Sequence, residues 1–119
     1  WAPTPVRIDL AGGWRDTPPI CVDLGGAVVN AAITLNGQYP VQVVAKLTEK
    51  PTLTLTSIDL GERVRFAATD ELQGGVDPRH WSALPVAALR LAGVVPQEPG
   101  ASLRRHLERF GGGLDITLF

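Results

Sequence analysis

Residues 6–19, VRIDLAGGWRDTPP, hold the chain's densest grouping of side chains able to do chemistry. Arg7 and Asp9 alternate with Val6, Ile8 and Leu10. In a strand, that spacing puts a guanidinium and a carboxylate on one face. Gly12 and Gly13 follow, and then Trp14, Arg15 and Asp16. Such a set suits a polyhydroxylated ring. A carboxylate accepts hydrogen bonds from neighbouring hydroxyls more strongly than a neutral acceptor does. An indole walls off the ring's C–H face, and glycines without Cβ let another group come close. The same pattern also fits an ordinary strand end whose Trp plugs a core edge, with Arg7 and Asp9 joined in a salt bridge.

The elements that must position these groups read as follows. Val6 to Leu10 is a strand with one buried face. Residues 14–19 form a loop, because Pro18 and Pro19 lack donors and push their neighbours extended. Gly25-Gly26 turns the chain into the apolar run Ala27 to Leu35. Asn36-Gly37 then signals a hairpin that continues through Val41, Val43 and Ala45. Thr52–Ser57 and Arg63–Ala67 alternate as two further strands, closed by a turn over Asp59–Glu62. Composition shifts at Gly74-Gly75. Ala83 to Val95 predicts a helix capped by Ser82, with Pro85 in its first turn and a stop over 96–100. Ser102 to Phe110 predicts a second helix with Leu103, Leu107 and Phe110 on one face. Gly111–Gly113 release the chain into a last strand of Leu114, Ile116 and Leu118. Strands, then helices, then a strand make an α+β class.

Composition excludes several functions. Apolar residues make up 45% and charged ones 19%, a globular balance rather than a disordered one. A net charge of −1 gives no field to draw nucleic acid or an anionic membrane. Arg104, Arg105 and Arg109 sit beside Glu108 as a solvated helix face. Cys21 is the single cysteine, so no internal disulfide forms; it fits a reducing compartment, and a cytoplasmic location is the expectation. No apolar run reaches the roughly 20 residues of a membrane span. His80 and His106 have no metal-ligand spacing around them. Gly111–Gly113 lacks the Lys and Ser/Thr of a Walker loop. The chain begins with Trp1, contains no Met and ends within strand-like sequence, which reads as a fragment.

The opening APTPVRIDLAGGWRDTPP resembles the first signature of the GHMP kinases, the superfamily of galactokinase, homoserine kinase and mevalonate kinase. Arg7 stands at the family's arginine, Gly12 at its glycine and Asp16 at its sugar-binding aspartate. Gly13 and Trp14 stand where galactokinases carry Glu-His. The Ala-Gly-Gly-Trp-x-Asp-Thr-Pro-Pro form is similar to L-fucokinases, and a related Ala-Gly-Gly-Gly-x-Asp form marks heptose-7-phosphate kinases. The segments GGAVVNAAITLNGQ, DPRHWSALPVAALRLAGVV and GGGLDITLF resemble the same groups.

The resemblance implies a domain like ribosomal protein S5 domain 2: a mostly antiparallel sheet with helices on one side. Residues 1–119 would be a partial amino-terminal domain that stops before the phosphate-binding loop. It implies transfer of the ATP γ-phosphoryl, with Mg²⁺, to a small-molecule sugar, on the fucokinase side to the anomeric hydroxyl of L-fucose. Nucleic acid and membrane are not expected partners, and oligomeric state stays open. Arg7 would be catalytic, beside the reacting hydroxyl. Asp16 would orient the sugar, with Trp14, Gly12 and Gly13 around the ring. Asn30, interrupting an apolar strand, would either approach the nucleotide or satisfy backbone locally, and Asp23 would cap the Gly25-Gly26 turn. The phosphate loop and the acidic base are missing from the sequence, so the chain alone is expected to be inactive. A heptose-7-phosphate kinase and a non-catalytic sugar-binding module are the alternatives.

Overall fold

A computed structural model describes residues 1–73, 76–98 and 100–119. The composition shift at Gly74-Gly75 lies outside these residues, as does Pro99 within the expected helix stop. The chain divides into two compact units: Ala2–Gln42, and Val43–Phe119 together with Trp1.

The second unit is built on period-2 alternation. Its strands are β4 (Val41–Thr48), β5 (Leu53–Ser57), β6 (Glu62–Phe66) and β7 (Gly113–Leu118), in the order β4–β7–β5–β6. β4 and β7 pair antiparallel, as do β5 and β6, whereas β5 and β7 run parallel. The sheet is therefore mixed. Leu53 faces Leu114 and Phe66 across the ladders, and Leu55 faces Ile116 and Val64. These apolar side chains share one face, while Thr54, Thr56, Asp115 and Thr117 take the other. The short helix α2 (Asp70–Gln73) had no clear sequence signal. Helices α3 (Ala83–Leu91) and α4 (Leu103–Arg109) follow it. Val86, Leu103 and Leu107 join Leu53, Leu55, Phe66, Leu72, Val95 and Ile116 in a single buried core. Buried Thr69 links the α2 and α4 ends: its hydroxyl donates to the Ala101 carbonyl at 2.6 Å and accepts from the Leu103 amide at 2.7 Å.

Three helix details depart from the sequence reading. α3 stops at Leu91, four residues before the expected Val95. Gly93, at φ 72°, donates to the Arg90 carbonyl while Val94 donates to that of Leu89. That bond pair terminates the helix with a left-handed glycine, and Val95 is freed to enter the core. Ser82 precedes α3 but does not cap it with its hydroxyl, which is held by His80 Nδ1 at 2.8 Å. Phe110 lies off the buried face of α4 and is 47% exposed, stacked against His106. The α4 cap itself is as expected, with Ser102 Oγ accepting from the Arg105 amide. Arg104 and Glu108 form an exposed pair one turn apart.

Gly111–Gly113 end α4 and start β7. Gly111 and Gly112 donate back to Glu108 and Leu107. A Cβ on Gly112 would sit 2.3 Å from the Thr48 carbonyl oxygen, and one on Gly113 only 2.0 Å from that of Lys50. Here three glycines are a helix stop followed by a close backbone crossing.

The first unit comprises β1 (Ala2–Thr4), β2 (Val6–Ala11), the single turn α1 (Ile20–Asp23) and β3 (Val29–Ile33). β2 and β3 pair antiparallel. The Asn36-Gly37 turn forms as expected, with both residues at positive φ and Leu35 and Gln38 bonded to each other at 2.9 Å in both directions. Its flanks do not zip into the expected hairpin. β3 takes β2 as its partner, and β4 takes β7. No residue from 2 to 42 is buried. The expected buried face of β2 is only half-covered, with Ile8 still 45% exposed.

Candidate functional site

The candidate residues gather on the β2–β3 ribbon and the loop that leaves it. Register pairs Arg7 with Ala32 and Asp9 with Asn30, then slips so that Ala11 meets Val29. Leu10 is the extra residue of a β-bulge. Directly opposed residues share a face, with Cβ atoms roughly 5 Å apart. Arg7, Asp9, Asn30 and Ala32 thus line one face, all exposed, while Val6, Ile8, Ala31 and Ile33 line the other. The bulge bends the strand where the polar face meets the loop, the usual use of a bulge beside a site.

Beyond the bulge, two turns are stacked in sequence. The Arg15 amide donates to the Gly12 carbonyl at 3.0 Å, and the Thr17 amide to the Trp14 carbonyl at 3.2 Å. Two glycines let this loop lie against the chain entering β3. A Cβ on Gly12 would stand 2.1 Å from the Ala27 carbonyl oxygen, and one on Gly26 would stand 2.1 Å from that of Arg15. Glycine is required at both by backbone contact. Gly13 differs, because its missing side chain makes room for another one. A Cβ there would lie 2.3 Å from Asp9 Oδ2.

Trp14 has φ 68° and is 84% exposed. The left-handed region costs an ordinary residue on the order of 1–2 kcal/mol, and here the indole gains no core contact in return. Among the described residues the indole plugs no core. Asp16 sits exposed in the second turn. No hydrogen bond or ion pair engages the side chains of Arg7, Asp9, Asp16 or Asn30 among the described residues. The expected alternative for Arg7, a salt bridge to Asp9, does not form. Asn30 is exposed rather than buried, because the ribbon turns that face outward. Asp23 ends α1 without a side-chain bond to the Gly25-Gly26 turn.

Elsewhere the side chains singled out by sequence serve local structure. His106 Nε2 meets the Gly93 carbonyl at 2.7 Å, and His80 holds Ser82. An apolar cleft of about 500 Å³ separates α3 from the sheet face, lined by Val43, Leu55, Trp81, Leu84 and Leu118 among others. Trp81 Nε1 is buried near it without a hydrogen-bond partner among the described residues. Sequence gave no hint of this cleft, and its lining offers little to a sugar's hydroxyls. No helix among the described residues is long and apolar enough to cross a membrane.

Comparison with known proteins gives two relatives. The chain is 46% identical, over 121 aligned positions and 99% of its length, to the L-fucokinase/L-fucose-1-P guanylyltransferase of Bacteroides fragilis. It is 30% identical over 78% of its length to the bifunctional fucokinase/GDP-fucose pyrophosphorylase of Arabidopsis thaliana. The chain spans 13% of the first protein and 9% of the second. No family model matches the sequence. By these two matches the chain is related to proteins that carry a fucokinase.

Proposed function

We propose that these residues are the sugar-facing part of an ATP-dependent kinase of the GHMP type that phosphorylates the anomeric hydroxyl of L-fucose. The observation that carries the reading is the 46% identity running through 99% of the chain to a protein named as an L-fucokinase. Both relatives also bear a nucleotidyl-transfer activity in their names, so the kinase half must be chosen on the residues. Segment 6–19 supports that choice. It presents a free guanidinium, free carboxylates and an outward indole, the groups a sugar acceptor needs. Gly112 and Gly113 do not suit a nucleotide, because their closest neighbours are backbone carbonyl oxygens, which repel phosphate.

On this reading Asp16 accepts hydrogen bonds from sugar hydroxyls and sets the ring's orientation. Trp14 flanks the apolar face of the ring, its strained backbone holding the indole outward. Gly12 fixes the loop against Ala27, and Gly13 keeps the turn open. Arg7 stands on the ribbon face beside them, where its fixed charge stabilises the developing negative charge of transfer. The described residues contain no group of three or more His, Cys, Asp or Glu that would hold a metal. The described residues offer no seat that fits Mg²⁺ or ATP phosphate; parts of the parent protein outside them would hold both.

The test is sugar-dependent ADP release by the full-length parent. L-Fucose is the expected acceptor, and Asp16→Ala should lower kcat/KM for it by about 100-fold, since a charge-assisted contact to the sugar is lost. The 119-residue chain alone should release no sugar-dependent ADP. Turnover of a heptose 7-phosphate in place of L-fucose points to the other kinase group, and sugar binding without turnover points to a binding module.

A further inference from the structure

We infer that Asp9, which the motif resemblance leaves without a role, is a sugar-binding and specificity-determining residue, its carboxylate seated over Gly13. The inference rests on the kinase reading above and extends it. Three observations converge on Asp9. First, its carboxylate has no hydrogen-bond or ion-pair partner among the described residues, although Arg7 lies on the same strand face. Exposed on the ribbon face, the carboxylate is left to solvent or to a ligand. Second, Oδ2 occupies the space that any side chain at position 13 would enter, 2.3 Å from the site of a Cβ, with Cγ at 3.4 Å. Gly13 thus leaves the carboxylate room to reach over the turn, one residue before the exposed Trp14. Third, Asn30 stands directly across the ladder on the same face, exposed and equally unpartnered. A carboxylate can only accept and a carboxamide both donates and accepts. Side by side, they match adjacent hydroxyls, each of which can donate and accept.

An acceptor-only group placed at a hydroxyl gives discrimination of a particular kind. A sugar lacking that hydroxyl leaves the carboxylate facing nothing that can donate, which penalises the analogue far more than the loss of an apolar contact would. Asp9 should thus decide which sugar is accepted. Asp16 and Arg7 serve orientation and transfer.

The experiment uses the full-length parent with Asp9→Ala, Asp9→Asn and Gly13→Ala, assayed on L-fucose and its mono-deoxy analogues. Asp9→Ala should raise KM for L-fucose by about tenfold or more, the size of one charge-assisted hydrogen bond, with KM for ATP within about twofold. Gly13→Ala keeps the carboxylate but displaces it, and should raise KM in the same direction. For one deoxy position, the wild-type preference for L-fucose over the analogue should collapse in Asp9→Ala; a purely structural role would not single out one hydroxyl. Should Asp9→Ala fail to fold, Asp9→Asn, nearly equal in shape, carries the same comparison. An active parent whose variants keep KM within about twofold and discriminate every deoxy analogue as wild type overturns the role of Asp9 alone. A parent that phosphorylates no sugar removes the kinase reading, and this role with it.

Discussion

The two units of this molecule have similar strand-forming sequence and opposite uses for it. In residues 43–119 alternation is spent on burial: Leu53 and Leu55 are fully inaccessible, and a mixed sheet closes over two helices. In residues 2–42 alternation sorts polar from apolar faces, yet nothing is buried. There, order comes from backbone contact, through the paired approaches of Gly12 to Ala27 and Gly26 to Arg15. A packed core resists change through the sum of many contacts. A glycine-fastened loop resists it through one or two contacts that admit no alternative. The second design leaves side chains free, and those are the side chains with chemistry to offer.

This contrast can be tested by substitution in the 119-residue chain, with urea unfolding as the readout. Leu107→Ala should be the most damaging, lowering stability by about 2–5 kcal/mol as a cavity opens in the core. Gly113→Ala should cost about 1–3 kcal/mol, because the added carbon meets the backbone carbonyls of Lys50 and Thr52 rather than a movable side chain. Gly12→Ala makes an equally tight clash, but its effect should stay local. Amide exchange should accelerate across residues 12–28 while the global midpoint holds, and a shift as large as that of Gly113→Ala would erase the distinction between the units. Ile8→Ala should cost under about 1 kcal/mol, since the side chain is already nearly half exposed. Arg104→Ala, which removes an exposed ion pair with Glu108, should fall within about 0.5 kcal/mol of no change.

Most elements were legible in the sequence where the signal was local. β5 and β6 follow from alternating Thr-Leu and Arg-Val with Gly61 between, α4 from Ser102, and the tight turn from Asn36-Gly37. What escaped depends on contacts distant in sequence. Asn36-Gly37 specifies a turn but cannot say whether its flanks will pair, because partner choice belongs to burial. The parallel pairing of β5 with β7 has no local signature at all. Apolar content predicts too long an α3, because the stop lies inside the apolar run, at Gly93. At the candidate site, the motif resemblance alone singles out Arg7, Asp16, Trp14 and the glycines. Their spacing puts Arg7 and Asp9 on one face, but that Asn30 joins them needs the β2–β3 register. The approach of Asp9 to Gly13 is invisible without coordinates.

β7 is the last strand of the chain and stands between β4 and β5, so Leu114 meets both Leu47 and Leu53. A nascent chain that has emerged as far as α4 has made β4 and the β5–β6 pair, but nothing yet joins them. The sheet cannot be knitted from β4 onward in chain order; it waits for a keystone translated after β4, β5 and β6. Until then the Leu53–Leu55 surface stands open on the ribosome, a period in which chaperones would protect it from neighbouring chains.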